Sequence, residues 1–181
     1  MPNFCNNFIS LSNGNSDLID MIFNGDKKQV LQSLLPCPKE LCDDEIDDTP
    51  PFGAERENKL KEKYGFYHAD EWRKINWGTK WDLSGVEMKR VDDNTLEIRG
   101  YTAWAPPIEA FVQLQSQGYN IYAMYYESGM GFAGIWEDGV DLIYKWDSVE
   151  NAKELPECLE KEFHIYEYLK SFEDEDRIDN E

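Results

Sequence analysis

With 181 residues, 41% of them apolar and 14% aromatic, the chain is long enough to bury one core without disulfide or metal staples. Its 37 acids stand against 18 bases, a formal net charge of -19, which repels phosphate and excludes a general nucleic-acid binder. No apolar run reaches the roughly 18 residues a membrane helix needs, and MPNFCNNFIS lacks the basic-then-apolar order of a signal peptide, so the expected setting is the cytoplasm.

In chain order, residues 3–12 read as a first strand, closed by Asn13-Gly14. Ser16 is placed to cap a helix whose Leu18, Ile19, Ile22 and Phe23 share one face. A second helical run, 27–35, groups Val30, Leu31, Leu34 and Leu35 and stops at Pro36 and Pro38. Residues 40–53 are acidic, end in Pro50-Pro51 and read as an exposed loop; helices follow over 54–63 and 69–76. NWGTKWD (76–82) then turns the chain. Residues 86–91 and 95–103 form two strands around the Asp92-Asp93-Asn94 turn. Pro106-Pro107 opens a helix that carries Ile108, Phe111, Val112 and Leu114. Strands at 120–126, 131–137 and 140–146 follow, the last two joined by the hairpin dipeptide Asp138-Gly139. The C-terminal segment reads as one long amphipathic helix with Leu155, Leu159, Phe163, Tyr166 and Leu169 on one stripe, and EDEDRIDNE as a frayed end.

This order predicts an α+β fold: a ferredoxin-like antiparallel sheet packed on helices, with an extra β-hairpin and a C-terminal amphipathic helix. The ferredoxin-like domain spans 1–146, with a helical, acidic insertion over about 36–80, and 147–181 is an acidic helix and tail. Cys5, Cys37, Cys42 and Cys158 fit no zinc spacing and read as free thiols, and His68 and His164 have no metal-ligand rhythm, so no metal and no cofactor are expected.

Charge is concentrated. Residues 40–57 hold eight acids and one base, and residues 147–181 hold 13 acids and four bases, so a nearly neutral body carries two acidic segments. Such segments attract basic surfaces and speed their encounter. Asp43, Asp44, Glu45, Asp47 and Asp48 in the first segment, and Glu173, Asp174, Glu175 and Asp176 in the second, are the candidate acidic contacts.

Five stretches resemble one family: MPNFCNN, LLPCPKEL (34–41), NWGTKWD, TAWAPP (102–107) and YYESGMGFAGIWEDG (125–139) together are similar to the YubB-like proteins of plasmids and bacteriophages. The resemblance covers most of residues 1–146. It implies a ferredoxin-like domain and a mobile-element setting, with the host bacterial cytoplasm as the location, and it carries over no catalytic residue.

The three aromatic-glycine stretches supply the second candidate set: Trp77, Lys80, Trp81, Trp104, Tyr125, Tyr126, Phe132 and Trp136. Buried core is one reading for each. Tyr and Trp also suit half-buried positions at interfaces, and Tyr125 and Tyr126, adjacent in a strand, must face opposite sides of the sheet. No nucleophile stands near a base in sequence, and SGMGFAG lacks the Lys of a phosphate loop. The leading expectation is therefore a non-enzymatic interaction protein, an acidic inhibitor, with DNA mimicry as one form of it. Its target would be a basic host protein or nucleoprotein complex of nucleic-acid defence, such as a CRISPR or restriction complex. One alternative is a small-ligand module or enzyme with a pocket between the three stretches, offering Asn76, Lys80, Glu127 and Asp138. Another is a homodimer through residues 155–169.

Overall fold

The computed structural model describes the backbone of residues 3–42 and 54–178, and the side chains of 3–42 and 56–171. Six strands form one antiparallel sheet: β1 (Phe4–Ser12), β2 (Ser84–Asp92), β3 (Thr95–Ala103), β4 (Asn120–Glu127), β5 (Phe132–Glu137) and β6 (Val140–Lys145), in the order β2-β3-β1-β4-β5-β6. The first four strands keep the order of a ferredoxin-like sheet, and the β5–β6 hairpin extends it beside β4. Asp138 (φ 49) and Gly139 (φ 79) both hold the positive φ that a two-residue hairpin needs.

β1 lies at the centre because both of its faces are apolar. Ile9 and Leu11 face one side with Leu96, Ile98, Ile121, Ala123 and Trp136, beneath α1 (Ser16–Phe23), α2 (Val30–Leu34) and α6 (Ile108–Ser116). Between α2 and β2 the expected insertion supplies α3 (Lys39–Cys42), α4 (Ala54–Tyr64) and α5 (Ala69–Asn76), which add Leu41, Leu60 and Ala69 to that layer. On the other side Phe8, Met124, Tyr126 and Ala133 meet Leu159 and Ile165 from the C-terminal helices. The sheet is thus a middle layer with helices on both faces.

Four local expectations are corrected. The start of the expected exposed loop over 40–53 is helical in α3, with Leu41 fully buried, and its residues 43–53 lie outside the described residues. Asn15, not Ser16, caps α1: its side chain accepts the Asp17 N–H, and Ser16 is already helical. The run 27–35 is helical only over Val30–Leu34, because its N-terminal donors are met from outside the run, by Asp82. The long terminal helix is three: α7 (Val149–Ala152), α8 (Glu157–Phe163) and α9 (Ile165–Ile178). Pro156 stands at the start of α8, and His164 at φ 52 breaks α8 from α9. The frayed end expected from residue 173 is helical backbone as far as Ile178.

Candidate functional site

The three aromatic-glycine stretches do converge, but mostly as packing. Trp77 is fully buried, donates Nε1–H to the Leu35 carbonyl at 2.9 Å and meets Trp72 edge-on. Gly78 (φ 83) brings the chain against the backbone nitrogens of Ile108 and Glu109, where a Cβ would be crowded at 3.2 Å. The Asn76 and Trp77 carbonyls accept from Gln113 Nε2 and the Ala110 N–H. NWGTKWD is therefore the seam that docks α5 onto α6, and Thr79 Oγ1 ties it to Ala103 of TAWAPP at 3.3 Å.

YYESGMGFAGIWEDG is also spent inside the chain. Tyr125 is buried on the α6 side, where its ring crosses Gly134 and its hydroxyl donates to Asp141 Oδ1 at 2.6 Å. Burial pushes that phenol's pKa far up, and the Asp141 carboxylate adds to the effect. Tyr126, on the opposite face as the strand period requires, stacks on Trp146 and packs at a tilt against Phe163. Trp136 is buried against Phe111, and Phe132 packs edge-on to Tyr125. The two tyrosines do face opposite sides, and both are buried, because α8 and α9 cover the face that a bare ferredoxin-like sheet leaves open.

The proposed convergent polar set does not form. Glu127 is buried and accepts from the Gly129 and Met130 N–H groups at 3.0 and 2.6 Å. Asp138 sits at the other end of the β4–β5 pair, in the hairpin turn. Asn76 Nδ2 bonds the Trp72 carbonyl, and Lys80 pairs with Asp70 at 2.6 Å beside the Trp81 ring. Among the described residues no group of three His, Cys, Asp or Glu is placed to hold a metal ion, and no helix is long and apolar enough to cross a membrane.

What the fold leaves outside is a different set of aromatic side chains, three of them where β1 begins and β3 ends. Phe4, Trp81, Tyr101 and Trp104 are each between 40% and 51% exposed, against complete burial for Trp77. Phe4 and Tyr101 lie edge to face, ring centroids 6.1 Å apart, and the Tyr101 ring covers Gly85. Trp81 and Gly85 line one open groove of about 780 Å³ with Lys27, Lys28 and Glu87. Tyr101, Gly85 and Glu87 line a second with Arg99 and, from α8, Glu162 and Phe163. Arg99 fastens that rim: it donates Nε–H and Nη2–H to the two Glu162 oxygens at 2.6 and 3.0 Å, and lies 4.7 Å from the Phe8 ring centroid.

Trp104 is held rather than left loose. Its φ is 68, in the left-handed region that a large side chain seldom enters. The Ala105 N–H donates to the Ala103 carbonyl at 2.8 Å, which makes Trp104 the middle of a strained three-residue turn. Two bonds lock the turn: the Trp104 N–H to the Asn3 carbonyl at 3.0 Å, and Thr102 Oγ1–H to the Ala105 carbonyl at 2.7 Å. Thr102 is buried and accepts in turn from Asn7 Nδ2 at 2.9 Å, and Asn7 also donates to the Cys5 carbonyl at 2.8 Å. A buried polar chain thus props an exposed tryptophan. Cys5 in the same layer is fully buried, its thiol pushed up to about 12 by burial and by the nearby Glu127 carboxylate.

Of the acidic candidates, Asp43, Asp44, Glu45, Asp47 and Asp48 lie outside the described residues. Glu173, Asp174, Glu175 and Asp176 fall on the backbone of α9, their side chains outside the description. Within the C-terminal segment the exposed acids that are described are Asp147, Glu150, Glu154, Glu157 and Glu167, on α7–α9 or beside them; other exposed acids, Asp93, Glu109 and Glu137 among them, lie elsewhere on the chain. The stripe offered as a dimer contact is used within the chain, with Leu159 fully buried and Leu155, Phe163 and Leu169 packed under the helices.

Phe4 and Tyr101 escaped the sequence reading. The strand period holds the signal for Tyr101, since it shares the outward face of β3 with Glu97 and Arg99, a polar row in which a tyrosine stands out.

No family model matches the sequence, and no curated protein matches it. The crystal structure of a protein api92 from Yersinia pseudotuberculosis, of family model DUF1281, is similar in trace at a TM-score of 0.46 and 10% identity, covering 82% of this chain and 99% of that one. The functional reading therefore rests on the residues themselves.

Proposed function

We propose that the chain is a binding protein that docks a basic protein surface. Trp104, Tyr101, Phe4 and Trp81 act as anchors, and the acidic segments steer the encounter. Trp104 carries the reading. A half-exposed tryptophan at positive φ loses on both counts, strain and solvent contact, and such positions gather at sites of recognition. The rim fits the same role: α8 brings Glu162 and Phe163 to the groove that Tyr101 lines, and exposed acids lie along the C-terminal helices. Acidic steering favours a partner with exposed Lys and Arg. The resemblance to mobile-element proteins directs the search to host complexes that handle nucleic acid, restriction and CRISPR assemblies among them, with inhibition as the outcome.

Trp104→Gly separates function from folding. Glycine accepts φ 68 without strain, so the variant should melt no lower than the parent. Capture from a bacterial host lysate at low salt should yield a basic protein that the parent holds and Trp104→Gly releases, with affinity lower by about 2 kcal/mol, roughly thirtyfold. Replacing Asp43, Asp44, Glu45, Asp47 and Asp48 by their amides should slow association and flatten its salt dependence. A partner held equally by the parent and by Trp104→Gly removes the aromatic surface from the account.

A further inference from the structure

The two edges of the sheet are built differently. β2, at one edge, carries Glu87, Lys89 and Arg90, and its register shifts twice, between Ser84 and Glu87 and again between Arg90 and Asp92. Charges and irregularities of this kind stop strand addition. β6, at the other edge, pairs with β5 without a shift, and among the described residues no strand pairs with its outer side. It nonetheless exposes three large aliphatic side chains, Val140 (55%), Leu142 (51%) and Ile143 (57%). An open, regular, apolar edge invites another strand.

We propose that a second copy of this chain occupies the β6 edge, antiparallel, joining the two sheets across a two-fold axis at Ile143. Backbone phase and charge select that register. The two-residue hairpin makes Glu137 and Val140 its closing hydrogen-bonded pair, so Val140, Leu142 and Tyr144 turn their N–H and C=O groups toward β5. The Trp146 N–H, donating to the Gly131 carbonyl at 3.2 Å, keeps the same phase. The groups of Asp141, Ile143 and Lys145 therefore point outward and are the ones a new strand can meet.

With the axis at Ile143, Ile143 faces the partner's Ile143 and Asp141 faces the partner's Lys145. All the outward amides and carbonyls of Asp141, Ile143 and Lys145 find a mate. The other sheet face sets Leu142 against the partner's Tyr144 and Val140 against the partner's Trp146. Sliding two residues one way puts Asp141 opposite the partner's Asp147, a like-charge pair. Sliding the other way puts Lys145 opposite the partner's Gly139 and leaves the charges unmatched. Only the Ile143 register is self-complementary in hydrogen bonds, charge and apolar contact together.

Sedimentation of the full chain over a wide concentration range tests this, with melting curves as the folding control. The parent should show a monomer–dimer equilibrium. Ile143→Lys, which sets two cations against each other on the axis, and Lys145→Glu, which faces the partner's Asp141, should each weaken dimerisation at least tenfold. Asp141→Lys should do the same by setting lysine opposite lysine, and mixing it with Lys145→Glu should restore a dimer, because each charge then meets its opposite. A parent that stays monomeric throughout, or a dimer unmoved by Ile143→Lys, overturns the proposal. So does a pair of folded, monomeric charge variants that do not associate when mixed.

Discussion

Asp82 shows how far one side chain reaches. The last residue of NWGTKWD, it accepts the Leu31 N–H on Oδ1 and the Gln32 N–H on Oδ2, both at 2.8 Å, so a residue some fifty positions away caps α2. It also accepts the Leu83 N–H at 2.7 Å. Burial raises its pKa above the ordinary 3.8, and the three backbone donors oppose that shift without cancelling it. A carboxyl with a raised folded pKa favours folding in its protonated form. Its contribution is therefore full below the unfolded pKa and is lost as pH rises through the folded one. Asp82→Ala leaves three amides unmatched and should cost about 2 kcal/mol in denaturant unfolding at neutral pH. The deficit should be larger at acid pH, where the parent keeps that contribution; a deficit that shrinks on acidification would contradict the assignment. Thr102 works at the same scale. It spends its hydroxyl on the Trp104 turn, so its burial serves a surface feature.

Between elements, glycine decides where large rings go. Gly134 in β5 lies beneath the Tyr125 ring, and a Cβ there would overlap the phenol. The ring lies across the strand only because that position has no side chain, and from there its hydroxyl reaches Asp141 in β6. Gly134→Ala should destabilise the fold by about 1–3 kcal/mol and shift tyrosine absorbance as the Tyr125–Asp141 bond is displaced. Unchanged stability would mean that the ring moves aside at no cost. The C-terminal helices teach a related lesson. Leu159 and Ile165 are both fully buried, and the left-handed His164 between them turns the chain so that α8 and α9 both lie on the sheet. A straight helix through these positions would run past a twisted sheet.

At the scale of the whole molecule, residues after 146 complete a layer. Phe8, Met124, Tyr126 and Ala133 are buried together with Leu159 and Ile165, and the Tyr126 ring packs against Phe163. A chain ended at Trp146 should lose cooperative unfolding and self-associate in light scattering, because an apolar sheet face of this breadth does not stay in water. A monomeric, cooperative 1–146 fragment would show instead that the ferredoxin-like unit stands alone. The parent should unfold in a single transition, since both helical layers share β1 and β4.

The sequence by itself determined the strands, the Asp138-Gly139 hairpin, the helical insertion and the α+β class, because periodicity and turn chemistry are local properties. It also determined where the charge sits. Tertiary structure alone decided the surface. Trp77 and Trp81 share one heptapeptide, yet one is sealed and the other half-exposed, since only the docking of α5 on α6 assigns them their sides. Tyr126 is sealed only because α8 and α9 close over that face of the sheet. The left-handed φ of Trp104 is held by its N–H bond to the Asn3 carbonyl, a contact about a hundred positions away that no local propensity encodes. Burial is a relation between distant segments, so which aromatics face the solvent is settled only when the layers meet.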